Sequence, residues 1–423
     1  MKSRAQRFLQ SIRKEIPEAV QARDHDDVEV AAMLRELGIA LIECEQPVQL
    51  VRARLLAIAK QYTHETVRVV VLPTALVVQV GNIAYEVETV VSPTTQLNLA
   101  GRIDAIAELA EVGAITPADA AREAAVARTM KPRFGPVTTV IGYVITTLGF
   151  GMVINPTWAS LWGYAFLGAV VGAIVILGRP FPTLNAVLPT LAAMVVTMLA
   201  TWFVADAAND GLLRVISPPL VAILPGLALT IASMELASAQ IISGASRLIY
   251  GVTQLMLLVF GVGLGIHVAG RVAPQAPSPQ MGGWSLYVAV VVIAIGLYIY
   301  LSAPTRSLLW LMLAVGVALV GQKVGGLFMS PTHSGAVGAF LVVPFATLGA
   351  QIKTSPPAIV MMLAAFWALV PGSLSFQSLG EAVQSGGDDV ATLGTSVAAI
   401  FSIALGTLVG WSVVETIRTR LRR

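Results

Sequence analysis

The sequence predicts a mainly α-helical, polytopic membrane protein: ten transmembrane helices in two inverted five-helix repeats, preceded by a small α+β cytoplasmic domain. Three observations carry this expectation. Thirty-three charged residues fall in the first 133 positions and only thirteen in the 281 positions from 134 to 414. No Lys, Arg, Asp or Glu occurs from Phe134 to Gly178. Hydrophobic residues make up 56% of the chain and mean hydropathy is +0.78, more apolar surface than a water-soluble fold of 423 residues can bury.

Residues 1–27 form a charged tail. Its first fifteen residues lack the apolar run of a signal peptide, so the N-terminus is expected in the cytoplasm. Residues 28–133 are the predicted soluble domain. Residues 1–133 carry sixteen basic and seventeen acidic side chains, so they offer no electrostatic basis for binding nucleic acid. Apolar residues at helical spacing (Val28, Ala31, Leu34, Leu37, Leu41, then Val48, Val51, Leu55, Ile58) predict two helices over 28–64, with Pro47 in the first turn of the second. Three β-rich runs follow at 67–72, 75–80 and 83–90. Pro73-Thr74 and Gly81-Asn82 punctuate them as the turns of an antiparallel meander. Helices are predicted at 98–112 and 117–130, the second opened by Thr116-Pro117 with Asp119 in its first turn.

No catalytic constellation marks this domain. His25 and His64 are isolated, and Cys44 sits in a polar stretch of sequence without a nearby His. A single cysteine excludes an intramolecular disulfide and a multi-cysteine metal site. The domain reads as a scaffold, gate or regulatory module rather than a hydrolase.

A membrane span needs about 20 apolar residues. On that rule the spans are 137–154, 160–178, 185–205, 217–239, 248–269, 284–302, 307–322, 330–350, 356–377 and 391–414. They divide into a first repeat over 134–270, an extracytoplasmic linker 271–283, a second repeat over 284–414 and a basic cytoplasmic tail 415–423. With the N-terminus inside, internal loops hold Arg179, Arg247, Arg306 and Lys353, and the C-terminal arginines also lie inside. This agrees with the positive-inside rule and places both termini in the cytoplasm. Trp158, Trp162, Trp284, Trp310 and Trp411 fall near span ends, where interfacial anchors belong.

The two halves share a motif. Pro225-Gly226 is followed ten positions after the proline by Glu235, and Pro371-Gly372 at the same distance by Glu381. Both pairs sit in the fourth span of a five-span half, ahead of a glycine-rich fifth span: Gly251, Gly261, Gly263 and Gly265, then Gly394, Gly406 and Gly410. Five is odd, so the halves must cross the membrane in opposite directions, the plan of many secondary transporters.

These residues are the candidate substrate and proton pathway. A Pro-Gly pair within a span breaks the helix, which is tolerated where the break packs on protein or lines a polar cavity. The restarted helix aims unpaired amides at the membrane centre, where a carboxylate could bind, and Ser373 could add a hydroxyl. A packing kink without a ligand is the plainer alternative. Glu235 is the only acid between Asp210 and Glu381. An ionised carboxylate at that depth costs at least a few kcal/mol, so it is expected to be paired, hydrated or protonated, as suits a proton-coupling group. Ten residues of helix rise about 15 Å, which puts Glu235 towards the cytoplasm and Glu381 towards the outside, one polar gate on each side. Glu381 reads equally well as a solvated loop end. In the run from Ser243 to Tyr250, Arg247 is either a cytoplasmic anchor or the partner of Glu235 when the inner gate closes. His333 is a second proton carrier or an interfacial histidine. Gly168 and Gly172 form a close-packing pair.

At these residues the chain resembles the bacterial threonine/serine exporter family. The features are Leu224-Pro225-Gly226, the acid Glu235, Ser243-Gly244 with Arg247 before a glycine-rich span, the Leu72-Pro73-Thr74 strand pattern, and the repeat at Val370-Pro371-Gly372. The resemblance implies secondary active export of threonine and serine driven by the proton gradient, with no cofactor, from a bacterial cytoplasmic membrane. Its partners would be a small amino acid and the lipid bilayer, with a homo-oligomer left open. Family members more often carry Asp where Glu235 stands. Related split-chain members are linked to dicarboxylate export, so another small metabolite is an alternative substrate. A passive channel or a sensor gated by the soluble domain is the alternative mechanism. Neither an ATP-binding loop nor the pattern of an intramembrane protease is present in the sequence, so a transporter is expected rather than an enzyme.

Overall fold

Asp26 caps the first helix, its carboxylate accepting the Val28 amide at 3.0 Å. The computed structural model describes residues 14, 25–88, 96–178, 181, 187–204, 211–270, 278–369, 376–377, 380 and 390–422. Helices α1 (Asp27–Glu43) and α2 (Val48–Tyr62) match the predicted pair, with Pro47 as the N-cap of α2 rather than inside its first turn. Strands β1 (Val67–Leu72), β2 (Ala75–Val80) and β3 (Ile83–Glu88) form the predicted meander in the order β1-β2-β3. Leu76, Val78 and Val80 alternate inward, and Val70 stands 54% exposed on the other face. Gly38 of α1 comes so near Leu76 that a Cβ there would overlap the leucine.

Helices α3 (Leu97–Glu111) and α4 (Pro117–Arg128) complete the N-terminal α+β domain. Thr116 caps α4 through the Asp119 amide at 3.2 Å. Arg54 bridges Asp104 and Glu111, tying α2 to α3. Cys44 contradicts its polar sequence setting: it is buried, because the α1–α2 corner folds back on the domain core.

Eleven helices follow: α5 (Pro136–Ile154), α6 (Leu161–Gly178), α7 (Leu188–Phe203), α8 (Leu212–Leu220), α9 (Gly226–Ala237), α10 (Ile241–Ala269), α11 (Ser285–Tyr300), α12 (Leu308–Gly325), α13 (Pro331–Gly349), α14 (Ala358–Leu369) and α15 (Val390–Arg422). Among the described residues, six are long and apolar enough to cross a membrane: α5, α6, α10, α12, α13 and the 397–416 part of α15. The other predicted spans contain shorter apolar helices, namely α7, α9, α11 and α14. Helices α7 and α11, with 16 residues each, rise about 24 Å, less than the hydrocarbon thickness. The fourth span is broken where predicted, α8 ending at Leu220 and α9 restarting at Gly226.

Two boundaries differ from the sequence reading. Helix α10 begins at Ile241 rather than 248 and runs 29 residues, so Arg247 lies within it and not in a loop. The basic tail is helical to Arg422 as part of α15. In both cases hydropathy marks the apolar stretch, whereas the backbone ladder continues past it.

Packing repeats between the halves. Helix α8 rests on α5, α6 and α7, and α14 rests on α11, α12 and α13. A Cβ at Gly261 or Gly265 of α10 would collide with the Thr190 or Met194 carbonyl of α7. Gly406 and Gly410 of α15 stand in the same relation to the Ala336 and Phe340 carbonyls of α13. These contacts recur at an offset of 145 or 146 residues, that of Pro225 to Pro371. Helices α5 and α11 cross between the halves, where Gly142, Gly149 and Gly296 let the backbones touch. Gly168 and Gly172 lie against Thr147 and Tyr143, the close α5–α6 packing their spacing predicts.

The N-terminal α+β domain sits on one end of this bundle. The Leu97 and Asn98 amides at the start of α3 donate to the Leu301 and Ser302 carbonyls at the end of α11, at 2.9 and 3.1 Å. Arg133 reaches the Ala303 carbonyl and the Tyr298 hydroxyl. At the other end of α11, the Met281 amide donates to the Pro156 carbonyl and the Trp158 and Trp284 rings stand 5.6 Å apart.

Candidate functional site

The break between α8 and α9 positions the site. Pro218 and Pro219 end the ladder of α8, and the Pro219 carbonyl accepts the Tyr143 hydroxyl from α5 at 2.6 Å. Tyr143 is 1% exposed and meets Tyr300 edge-on. After the turn, Pro225 caps α9 without a side-chain bond, and Gly226 is its first helical residue. The Leu229 amide is the first to find a partner in the new helix, the Pro225 carbonyl.

Nine residues past Gly226, Glu235 is fully buried. Its Oε1 lies 3.3 Å from Arg247 Nε on α10 and accepts the backbone amide of Val48 at 3.1 Å. Val48 is the first helical residue of α2, so a carboxylate from the helical bundle caps a helix of the N-terminal domain, where negative charge is favoured. Among the described residues no group donates to Glu235 Oε2. Arg247 is 12% exposed, which makes this an ion pair almost out of water. Gly244 permits it, since a Cβ there would strike Leu236 and the Ala232 carbonyl of α9.

Beside this pair lies a small cleft. Helix α9 lines it with Leu227, Thr230, Ile231 and Met234, positions that share one helix face. Helices α14 and α15 add apolar side chains that include Phe366 and Trp411, and the α1–α2 corner closes it with Glu45, Pro47 and Leu50. Glu45 takes a left-handed conformation, φ 57°, as α1 ends, and the Gln46 amide returns to the Leu41 carbonyl.

The predicted site residues separate accordingly. Pro225, Gly226, Glu235, Ser243 and Arg247 gather around α9 and the start of α10, with Ser243 buried in the first turn of α10. Tyr250 is 55% exposed on the outer side of α10, although close enough to Glu45 to feel its charge. His333 stands apart, its Nδ1 2.7 Å from Ser402 Oγ, joining α13 to α15 on an exposed face. Pro371, Gly372, Ser373 and Glu381 lie outside the described residues. The sequence reading missed Val48, Glu45 and Tyr143: a backbone amide leaves no mark in sequence, and the tyrosine is one aromatic in an apolar span. Of the two roles expected for Arg247, cytoplasmic anchor or partner of Glu235, the second is the contact present.

Residues 32–269 match a protein family described as "Putative threonine/serine exporter". Over 170 residues the chain is 29% identical to "Pheromone-regulated membrane protein 10" of Pichia sorbitophila, an alignment covering 38% of this chain and 17% of that protein. The chain thus spans under a fifth of that relative's length. No solved structure matches. The family match takes in the α1–α2 corner, the helix break, Glu235 and Arg247, and it extends over more than half of the sequence. The chain belongs to the threonine/serine exporter family.

Proposed function

We propose that this protein is a secondary active exporter of small hydroxylated amino acids, threonine and serine, driven by inward proton flow across a bacterial cytoplasmic membrane. The observation that carries the reading is the buried Glu235–Arg247 pair past a broken helix. A carboxylate out of water is stable while its cation and capping amide are in place, and protonation removes the reason for both contacts. Proton uptake therefore has a defined structural effect, as coupling requires. No metal or organic cofactor enters this scheme.

Ten crossings in two inverted halves, with both termini cytoplasmic, belong to the same reading. The recurring glycine-on-carbonyl contacts of α7–α10 and α13–α15 support the repeat. Arg133, Arg247 and the Gln351 region lie at the end of the bundle that meets the soluble domain, in keeping with a cytoplasmic side rich in basic residues. The amino acid's carboxylate would meet the amides opening α9, and its ammonium group a carboxylate.

Liposomes loaded with labelled serine or threonine test the proposal. Saturable efflux that rises with an imposed pH gradient and shows counterflow is the expected result. Non-saturating flux would favour a channel gated by the soluble domain, the second reading that the Val48–Glu235 bond suits. No efflux of either amino acid from folded protein would overturn the substrate, and dicarboxylates would be tried next.

A further inference from the structure

The cleft beside Glu235 has a direction. Along α9 it runs from Leu227, the residue after the Pro225-Gly226 break, to Met234, next to the ion pair. Seven residues of helix make that about 10 Å. It thus joins the helix break to the cytoplasmic end of the bundle, and residues of the soluble domain form its floor: Glu45, Pro47 and Leu50. The same corner supplies the Val48 amide that Glu235 holds. Buried side chains continue without interruption from α1 and α2 into the membrane helices, so this corner is packed in place as part of one core.

We propose that the α1–α2 corner, residues 45–50, is the cytoplasmic gate of the transport pathway, latched by the Val48 amide and Arg247 on Glu235. This rests on the carrier reading above and adds the moving part, its lock and the path of the cargo. The occupant of the cleft is the amino acid in transit. Its lining is almost wholly apolar and suits a small side chain. Protonation of Glu235 weakens both latch contacts and opens the cleft inward. The proton-loaded carrier is the state that must shed its proton inside and take up cargo. Glu235 Oε2, buried without a donor, is where that proton would sit. The backbone bonds between α3 and α11 stay closed as the corner lifts, which keeps the domain attached.

The test reads the gate separately from transport. In the full chain with Cys44→Ala, Thr230→Cys is labelled by an impermeant maleimide at the cytoplasmic face of inside-out vesicles. Two further variants undo the latch in different ways. Glu235→Gln removes the charge. Val48→Pro removes the donated N–H while suiting the first helical position, and Pro47 already has the extended backbone that a following proline needs (φ −57°, ψ 138°). Each is expected to speed labelling about ten-fold, the effect of losing one such contact. Equal rates in parent and both variants, with all three monodisperse, would overturn the gate. Cross-linking Leu50→Cys to Met362→Cys with a short bis-maleimide, in a chain that keeps Thr230, should abolish efflux. Undiminished efflux after complete cross-linking would also overturn the gate. Latch-dependent labelling without serine or threonine efflux would support the gate while rejecting the substrate.

Discussion

Glu235 and Arg247 lie on consecutive helices, twelve positions apart, and meet at 3.3 Å with the acid fully buried and the base 12% exposed. Little solvent reaches either charge, so each depends on the other.

Removing one partner should therefore cost more than removing both. Arg247→Ala is expected to destabilise the protein by about 3 kcal/mol, because a buried carboxylate is left uncompensated. Adding Glu235→Gln should restore much of that loss. Thermal unfolding of the single and double variants in detergent measures the coupling, and strictly additive effects would refute it.

Tyr143 supplies a hydroxyl to a carbonyl that the proline-terminated end of α8 leaves open. Tyr143→Phe keeps the ring contact with Tyr300 but leaves the Pro219 carbonyl unsatisfied, at a cost of about 1–3 kcal/mol. The loss should appear in unfolding experiments whether or not substrate is present.

The glycines of the two halves should respond alike. Gly261→Ala and Gly406→Ala each drive a methyl group into a carbonyl of the facing helix, and each should cost about 1–3 kcal/mol. Gly263 faces open space, so Gly263→Ala should be neutral or stabilising by up to about 1 kcal/mol. Melting temperatures of the three single variants make the comparison.

Cys44 should be inert in the folded protein. Burial above all, then the charges of Glu43, Asp104 and Glu45, raise its thiol well above the ordinary range. The thiolate is the reactive form, and a raised pKa keeps it scarce. Alkylation should be far slower than for a free thiol at both about pH 7 and about pH 9, although it climbs by roughly ten-fold per pH unit without levelling off. Denaturant should release rapid labelling with the usual thiol pH dependence. Fast native-state alkylation would mean that the corner opens on its own.

Much of this architecture was legible in the sequence because single residue types report it. The charge-free run from Phe134 to Gly178 announces membrane helices, and Pro225-Gly226 announces a break that the backbone shows five residues after Leu220. Glu235 with Arg247 is legible as a charge pair in an apolar stretch. The third member of the latch is not, since Val48 acts through its backbone and its side chain reads only as core. The cleft is equally hidden: its lining comes from four segments between residues 45 and 411, and only folding collects them. The start of α10 escaped because a 29-residue helix, about 43 Å long, outruns the hydrocarbon that hydropathy detects.

The junction of α3 with α11 has a consequence for how the chain can be divided. The Leu301 and Ser302 carbonyls just past α11 accept the first amides of α3, and α3 has no side-chain cap of its own. Those carbonyls stand in for the missing turn at the start of α3. A cut after residue 133, between the α+β domain and the helices that follow, would remove these partners. Fragments made there should each lose order at Leu97 and Leu301. The smallest unit that keeps its own hydrogen bonds includes both the α+β domain and the helical bundle.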